Sequence, residues 1–184
     1  MSTLPREFEN PIDYAIIRIC SKIAPFFKAT YHRANFITFE GLILSTYGLY
    51  HLSQFNMLKF MFGYGLGYVF DCLDGYYARK YNDKSRFGEY FEHSKDIGCG
   101  ILYFIILSQY YVMSGWVWNL FTLSFLGLVF QLAHQQAMIG SSGDLMDKLQ
   151  LIVVNPYHIR KTRWVGCGTF MILSLIIPLI LSTK

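Results

Sequence analysis

Charge is scarce in this 184-residue chain: Asp, Glu, Lys and Arg together make up 15% of it, against 53% hydrophobic and 18% aromatic residues. That balance argues against an ordinary soluble domain, and the length argues against several of them. Cysteine is scarce too. Cys20, Cys72, Cys99 and Cys167 show no paired spacing, which speaks against a disulfide framework or a zinc site and for small apolar fillers. There is no internal repeat and no low-complexity tract. The first apolar stretch follows about ten polar residues and is too mixed for a cleavable signal peptide. The net charge of +4 is modest, and no nucleic-acid partner is expected.

What the chain does have is a series of apolar runs of membrane-spanning length. Five spanning helices are expected, over about residues 36–54, 57–78, 88–112, 116–139 and 162–181. A sixth would require the 144–157 segment to insert, against which Asp144, Asp147, Lys148, Asn155 and Pro156 argue. Residues 10–33 read as an amphipathic helix on the membrane surface: Ile12, Ala15, Ile16, Ile19, Ile23, Phe26 and Phe27 share a stripe, interspersed with Arg18, Lys22 and Lys28, and Asn10-Pro11 suits the helix start. The expected fold is therefore an all-α integral membrane protein, a single membrane domain over residues 1–184 with its transmembrane bundle at 36–181.

The basic residues give it an orientation. Thirteen of the 16 Lys and Arg fall in the N-terminal segment, the 79–87 loop and the 140–163 stretch, while the turns near 51–57 and 112–116 hold none. Alternate basic loops imply a multi-pass chain with its N-terminus in the cytoplasm.

Against this apolar background Asp71, Asp74, Glu92 and Asp96 stand out. An ionised acid near a span centre costs about 2.5 to 3.5 kcal/mol, so four cost roughly 10 kcal/mol before pairing. Asp71 and Asp74 are three apart, on one helix face with Gly75 and Ala78 near it; Gly88, Glu92 and Asp96 repeat every four residues. A short loop joins the two stripes, which can face one another at the cytoplasmic level. Four converging carboxylates make a hard-oxygen site for Mg²⁺, Mn²⁺ or Ca²⁺. Small residues leave room for a ligand, and Arg79 stands where a phosphate charge could be met. Carboxylates, divalent cation, clearance and arginine together suit phosphoryl transfer.

The pattern Asp71-x2-Asp74-Gly75-x2-Ala78-Arg79-x8-Gly88-x3-Glu92-x3-Asp96 resembles the signature of the CDP-alcohol phosphotransferase family, with every spacing kept. Glu92 departs from it, since the family has Asp there. Asn35 and Thr38 resemble a looser family feature, in which proline is common where this chain has Ala34. The resemblance implies attack by an alcohol hydroxyl on the pyrophosphate of a CDP-alcohol, releasing CMP and forming a phospholipid with Mg²⁺ or Mn²⁺ as cofactor. It implies Asp71, Asp74 and Glu92 as metal ligands, and Asp96 as both ligand and general base. It implies Gly75, Ala78, Arg79, Gly88, Asn35 and Thr38 around the nucleotide, and a homodimer. The family core is usually described as six spans, where this sequence offers five.

Two substrate logics follow from the resemblance. CDP-diacylglycerol with a small polar alcohol is favoured by the small size of the chain. CDP-choline or CDP-ethanolamine with diacylglycerol is favoured by the run Gly88-Glu89-Tyr90-Phe91-Glu92-His93. Outside the class, the alternatives are a small ion transporter or a catalytically inactive relative. A transporter would spread its acids through the membrane depth, whereas these cluster at one level. Glu40 is expected to pair with a neighbouring cation or to contact the nucleotide region. Asp83 and Glu89 are expected in the solvated loop, and His93 and Lys95 off the acidic face. His134, with Gln131, Gln135 and Gln136, forms a polar patch for an acceptor pocket or for hydrogen bonds between helices.

Overall fold

The computed structural model describes residues 5–30, 32–111, 114–139, 148, 155 and 158–182. Among them every regular element is a helix: α1 (Pro11–Ala29), α2 (Ala34–Ser53), α3 (Met57–Lys80), α4 (Arg86–Tyr110), α5 (Gly115–Ile139), α6 (Ile159–Thr162) and α7 (Cys167–Ser182), with a 3-10 turn at Arg163–Val165. The five expected spans correspond to α2, α3, α4, α5 and α7, and the amphipathic segment to α1. Of the 144–157 segment only Lys148 and Asn155 are described. Two stretches, Gly115–Met138 and Ile159–Leu181, are long and apolar enough to cross a membrane by length and composition. In α3 and α4 the charged residues dilute that signal. The all-α membrane architecture read from the sequence stands.

The chain divides into two compact units, Met1–Ala15 with Gly115–Leu173, and Ile16–Ser114 with Ser174–Lys184. In the first, Asn10 does three things. Its Oδ1 accepts the Ile12 N–H at 3.0 Å and caps α1, while its Nδ2 donates to the Arg163 carbonyl at 2.7 Å and the Thr169 hydroxyl at 2.8 Å. Gln131 on α5 is buried and accepts the Thr162 hydroxyl at 2.8 Å. His134 sits 2.7 Å from the Phe130 carbonyl. Gln131 and His134, two members of the polar patch, thus make hydrogen bonds within this unit.

In the second unit α2 is the common wall. Its backbone packs against α3 and against α4, whereas α3 and α4 meet mainly through side chains. The α2–α3 approach is set by residues with little or no side chain. A Cβ added to Gly63 would lie 2.8 Å from the Gly48 nitrogen and 2.9 Å from its Cα, and one added to Gly67 would lie 3.2 Å from the Gly41 carbonyl oxygen. Between α3 and α4, Tyr103 stacks on Tyr64 at 5.8 Å and on Phe60 at 6.4 Å, while Lys95 meets Asp71. Higher numbers on one helix pair with lower numbers on the other, so the two run antiparallel.

Tyr103 is fixed by a helix defect. Pro178 has no N–H to offer the carbonyl four residues before it, and that carbonyl, Ser174, accepts the Tyr103 hydroxyl at 2.8 Å.

Two tethers bring the start of α2 to the far end of α3. The Tyr77 hydroxyl donates to the His32 carbonyl at 2.6 Å. Asn82 adopts the left-handed conformation (φ 55°), and the Asp83 N–H returns to the Ala78 carbonyl at 3.0 Å, the pattern that ends a helix with a reversal. Asp83 is thereby aimed at α2. It accepts from Arg33 Nη2 at 2.7 Å and from the Ala34 N–H at 2.9 Å. These hydrogen bonds, from Arg33 first, hold the Asp83 carboxyl below the usual carboxylate range.

Candidate active site

α3 carries Asp71 and Asp74 near its C-terminal end, and α4 carries Glu92 and Asp96 in its first three turns, beginning from a Ser85 cap that accepts the Gly88 N–H at 3.0 Å. Asp71, Asp74 and Glu92 each present a carboxylate oxygen within 4.8 Å of the other two. The extra methylene of Glu92 does not keep it out of that group. Asp96 lies outside it, with half its side chain exposed, and pairs with Lys95 Nζ at 3.2 Å. Lys95 Nζ also donates to Asp71 Oδ1.

Asp74 is the least satisfied member. It is 2% exposed, and among the described residues neither carboxylate oxygen has a hydrogen-bond partner. The nearby Thr38 hydroxyl is committed to the Ala34 carbonyl at 3.1 Å. A buried carboxylate without a partner is costly. A divalent cation would remove that cost for Asp74, and an all-oxygen donor set suits Mg²⁺ or Mn²⁺. The residues fit such an ion.

The glycines of the motif are filled by this chain's own side chains. A Cβ on Gly75 would lie 3.3 Å from Arg79 Nη1, because the guanidinium folds back across it. A Cβ on Gly88 would lie 2.5 Å from Asn35 Oδ1, so the Asn35 side chain would have to shift to admit one. Arg79 is exposed, Thr38 is buried beside Asp74, and Ala78 packs partly against the cluster of Cys20, Ala24, Ala34, Ile37, Leu73 and Tyr77.

Sequence reasoning placed four residues differently, the first being Glu89, which belongs to the first turn of α4 and not to the solvated loop. Lys95, expected off the acidic face, is buried within it: a lysine side chain leans toward its helix N-terminus, which carries the ammonium back to the depth of Asp71. A lysine inside a span needs a carboxylate, and that was the available signal. Asp83 is a tether rather than a free loop residue. Glu40 lies 3.5 Å from His32 Nε2, a histidine partner in place of the Lys or Arg expected.

The sequence profile of the CDP-alcohol phosphatidyltransferase family matches residues 31–183. This chain belongs to that family. No curated protein and no solved structure matches it. CDP-alcohol phosphatidyltransferases act on a CDP-alcohol and an alcohol acceptor in phospholipid synthesis and use divalent cations. The matched region contains the whole acidic cluster, and the membrane setting of such enzymes agrees with the apolar helices. One departure from the family pattern has a visible use. Ala34 has the N–H that Asp83 accepts, which a proline would lack.

Proposed function

We propose that this chain is a metal-dependent CDP-alcohol phosphatidyltransferase that joins CDP-diacylglycerol to a small polar alcohol. The observation that carries this reading is the convergence of Asp71, Asp74 and Glu92, with Asp96 and Arg79 close by in sequence on the same two helices. In the reaction the acceptor oxygen bonds to the phosphorus that bears the diacylglycerol, the pyrophosphate P–O bond breaks, and CMP leaves with the electron pair. Bound Mg²⁺ or Mn²⁺ supplies charge neutralisation at the pyrophosphate.

The chain's own residues do the rest. Asp71, Asp74 and Glu92 hold the cation, with Asp96 beside them. Asp96, half exposed, is open to an incoming hydroxyl and takes its proton as general base. Arg79 swings from Gly75 to a phosphate oxygen. Asn35, Thr38, Ala78 and the two glycines frame the nucleotide. The site and the N-terminus face the cytoplasm, the 36–181 bundle crosses the membrane five times, and the whole chain acts as one catalytic domain, as a homodimer.

The Gly88–His93 run favours the second reading, transfer of choline or ethanolamine phosphate from its CDP derivative to diacylglycerol. Purified chain with Mg²⁺ or Mn²⁺ is offered CDP-diacylglycerol with a panel of alcohols, then CDP-choline with diacylglycerol, and CMP is measured. CMP from the first arm supports the proposal, and CMP from the second arm alone supports the alternative. No CMP above an Asp96→Asn control in any arm sinks the enzyme reading.

A further inference from the structure

Four carboxylates gather at the facing stripes of α3 and α4, but they do not form one uniform nest. Asp71, Asp74 and Glu92 close on a common point, whereas Asp96 is turned to Lys95. Lys95 Nζ lies between Asp71 and Asp96, in contact with both. The side chain holding it there is almost fully buried, at 4% exposure, so this is not a solvated surface pair. An ammonium is a compact point charge with three donors and no acceptor; it bonds carboxylates as a cation does and cannot itself ligate one. A second divalent ion shared by Asp71 and Asp96 would need the position of that nitrogen, and would face its charge at contact distance.

We infer that Lys95 stands in for a second divalent cation, so that this site binds one metal ion, through Asp71, Asp74 and Glu92, with the ammonium neutralising the Asp71–Asp96 side. The inference rests on the metal reading proposed above and goes beyond it, because the motif assigns no role to this position. Lys95 also lines a cavity of about 320 Å³ with Leu42, Thr46, Phe91, Gly98 and Leu102, so its side chain is not packed on every side.

The test is the number of ions bound by the full-length chain in detergent, read by electron paramagnetic resonance from the free Mn²⁺ left during titration. The wild type binds one Mn²⁺ per chain, and Lys95→Met and Lys95→Gln bind two. Lys95→Arg keeps the charge and stays at one. Circular dichroism and size-exclusion profiles identify any variant that has not folded, and two neutral variants of different polarity guard against losing one. Two ions in the wild type, or one ion in both folded neutral variants, overturns the inference while the metal reading survives. No ion in any variant overturns the metal reading itself.

Discussion

α3 makes two interfaces of opposite character. Toward α2 it is sealed backbone to backbone: Gly63 sits against Gly48 and Gly67 against Gly41, and a single added carbon has nowhere to go. Toward α4 it is held at side-chain length by Tyr64, Phe60 and Tyr103 at one end and by the Asp71–Lys95 contact near the other. The seam provides packing and no chemistry. The gap leaves room for chemistry, and it contains a buried carboxylate with no partner. One helix can serve both because its sequence separates them, with the glycines of the seam at 63 and 67 and the acids from 71 onward.

That contrast can be broken from either side. The largest effect belongs to the gap. Asp96→Asn removes the proposed general base, and CMP release falls about 10² to 10⁴-fold, far more than any accompanying shift of the melting transition in detergent accounts for. Next comes the seam. Gly63→Leu drives a side chain into Gly48 and destabilises by about 3 kcal/mol, read from the same transition, with activity lost only as the fold is lost.

Tyr103→Phe is smaller. It removes the hydrogen bond from the Tyr103 hydroxyl to the Ser174 carbonyl, at about 0.5 to 1.5 kcal/mol. Asp83→Asn is smaller again, because Arg33 is exposed and its pair with Asp83 is screened. Its signature is in pH. A carboxyl held below its usual value stabilises the fold above about pH 4, and that contribution is lost as pH falls through the lowered value. The wild type therefore loses stability on acidification below about pH 4, and Asp83→Asn loses less, as followed by acid-induced melting. The smallest effect is on a glycine outside both interfaces. Among the described residues, nothing outside its own stretch of helix lies within 4 Å of a Cβ added to Gly100 on α4, so Gly100→Ala changes stability by no more than about 1 kcal/mol, in the stabilising direction.

Gly63 and Gly100 show why the sequence could carry the fold only so far. Both read alike as small residues in spans, yet one is sealed and the other open. Glycine reports that close approach is allowed, and only the neighbouring helix decides whether it happens. The acidic stripes were legible because i, i+3 and i, i+4 spacing is a local property of a helix, and because charge in an apolar chain demands a reason. Lys95 and Asp83 were not. Their roles depend on where a long side chain and a loop reversal end up, 24 and 50 residues from the partners they meet.

By itself the sequence determined the helical class, the positions of the five long apolar helices that follow α1, and the identity of the acids, because hydropathy and helical periodicity are written in adjacent residues. The tertiary structure decided how those acids divide. It gathers three on a common point, gives the fourth to Lys95, and ties the start of α2 beside them through Asp83 and Tyr77. Those outcomes follow from packing two antiparallel helices against a common third at unequal distances, which no stretch of sequence specifies alone.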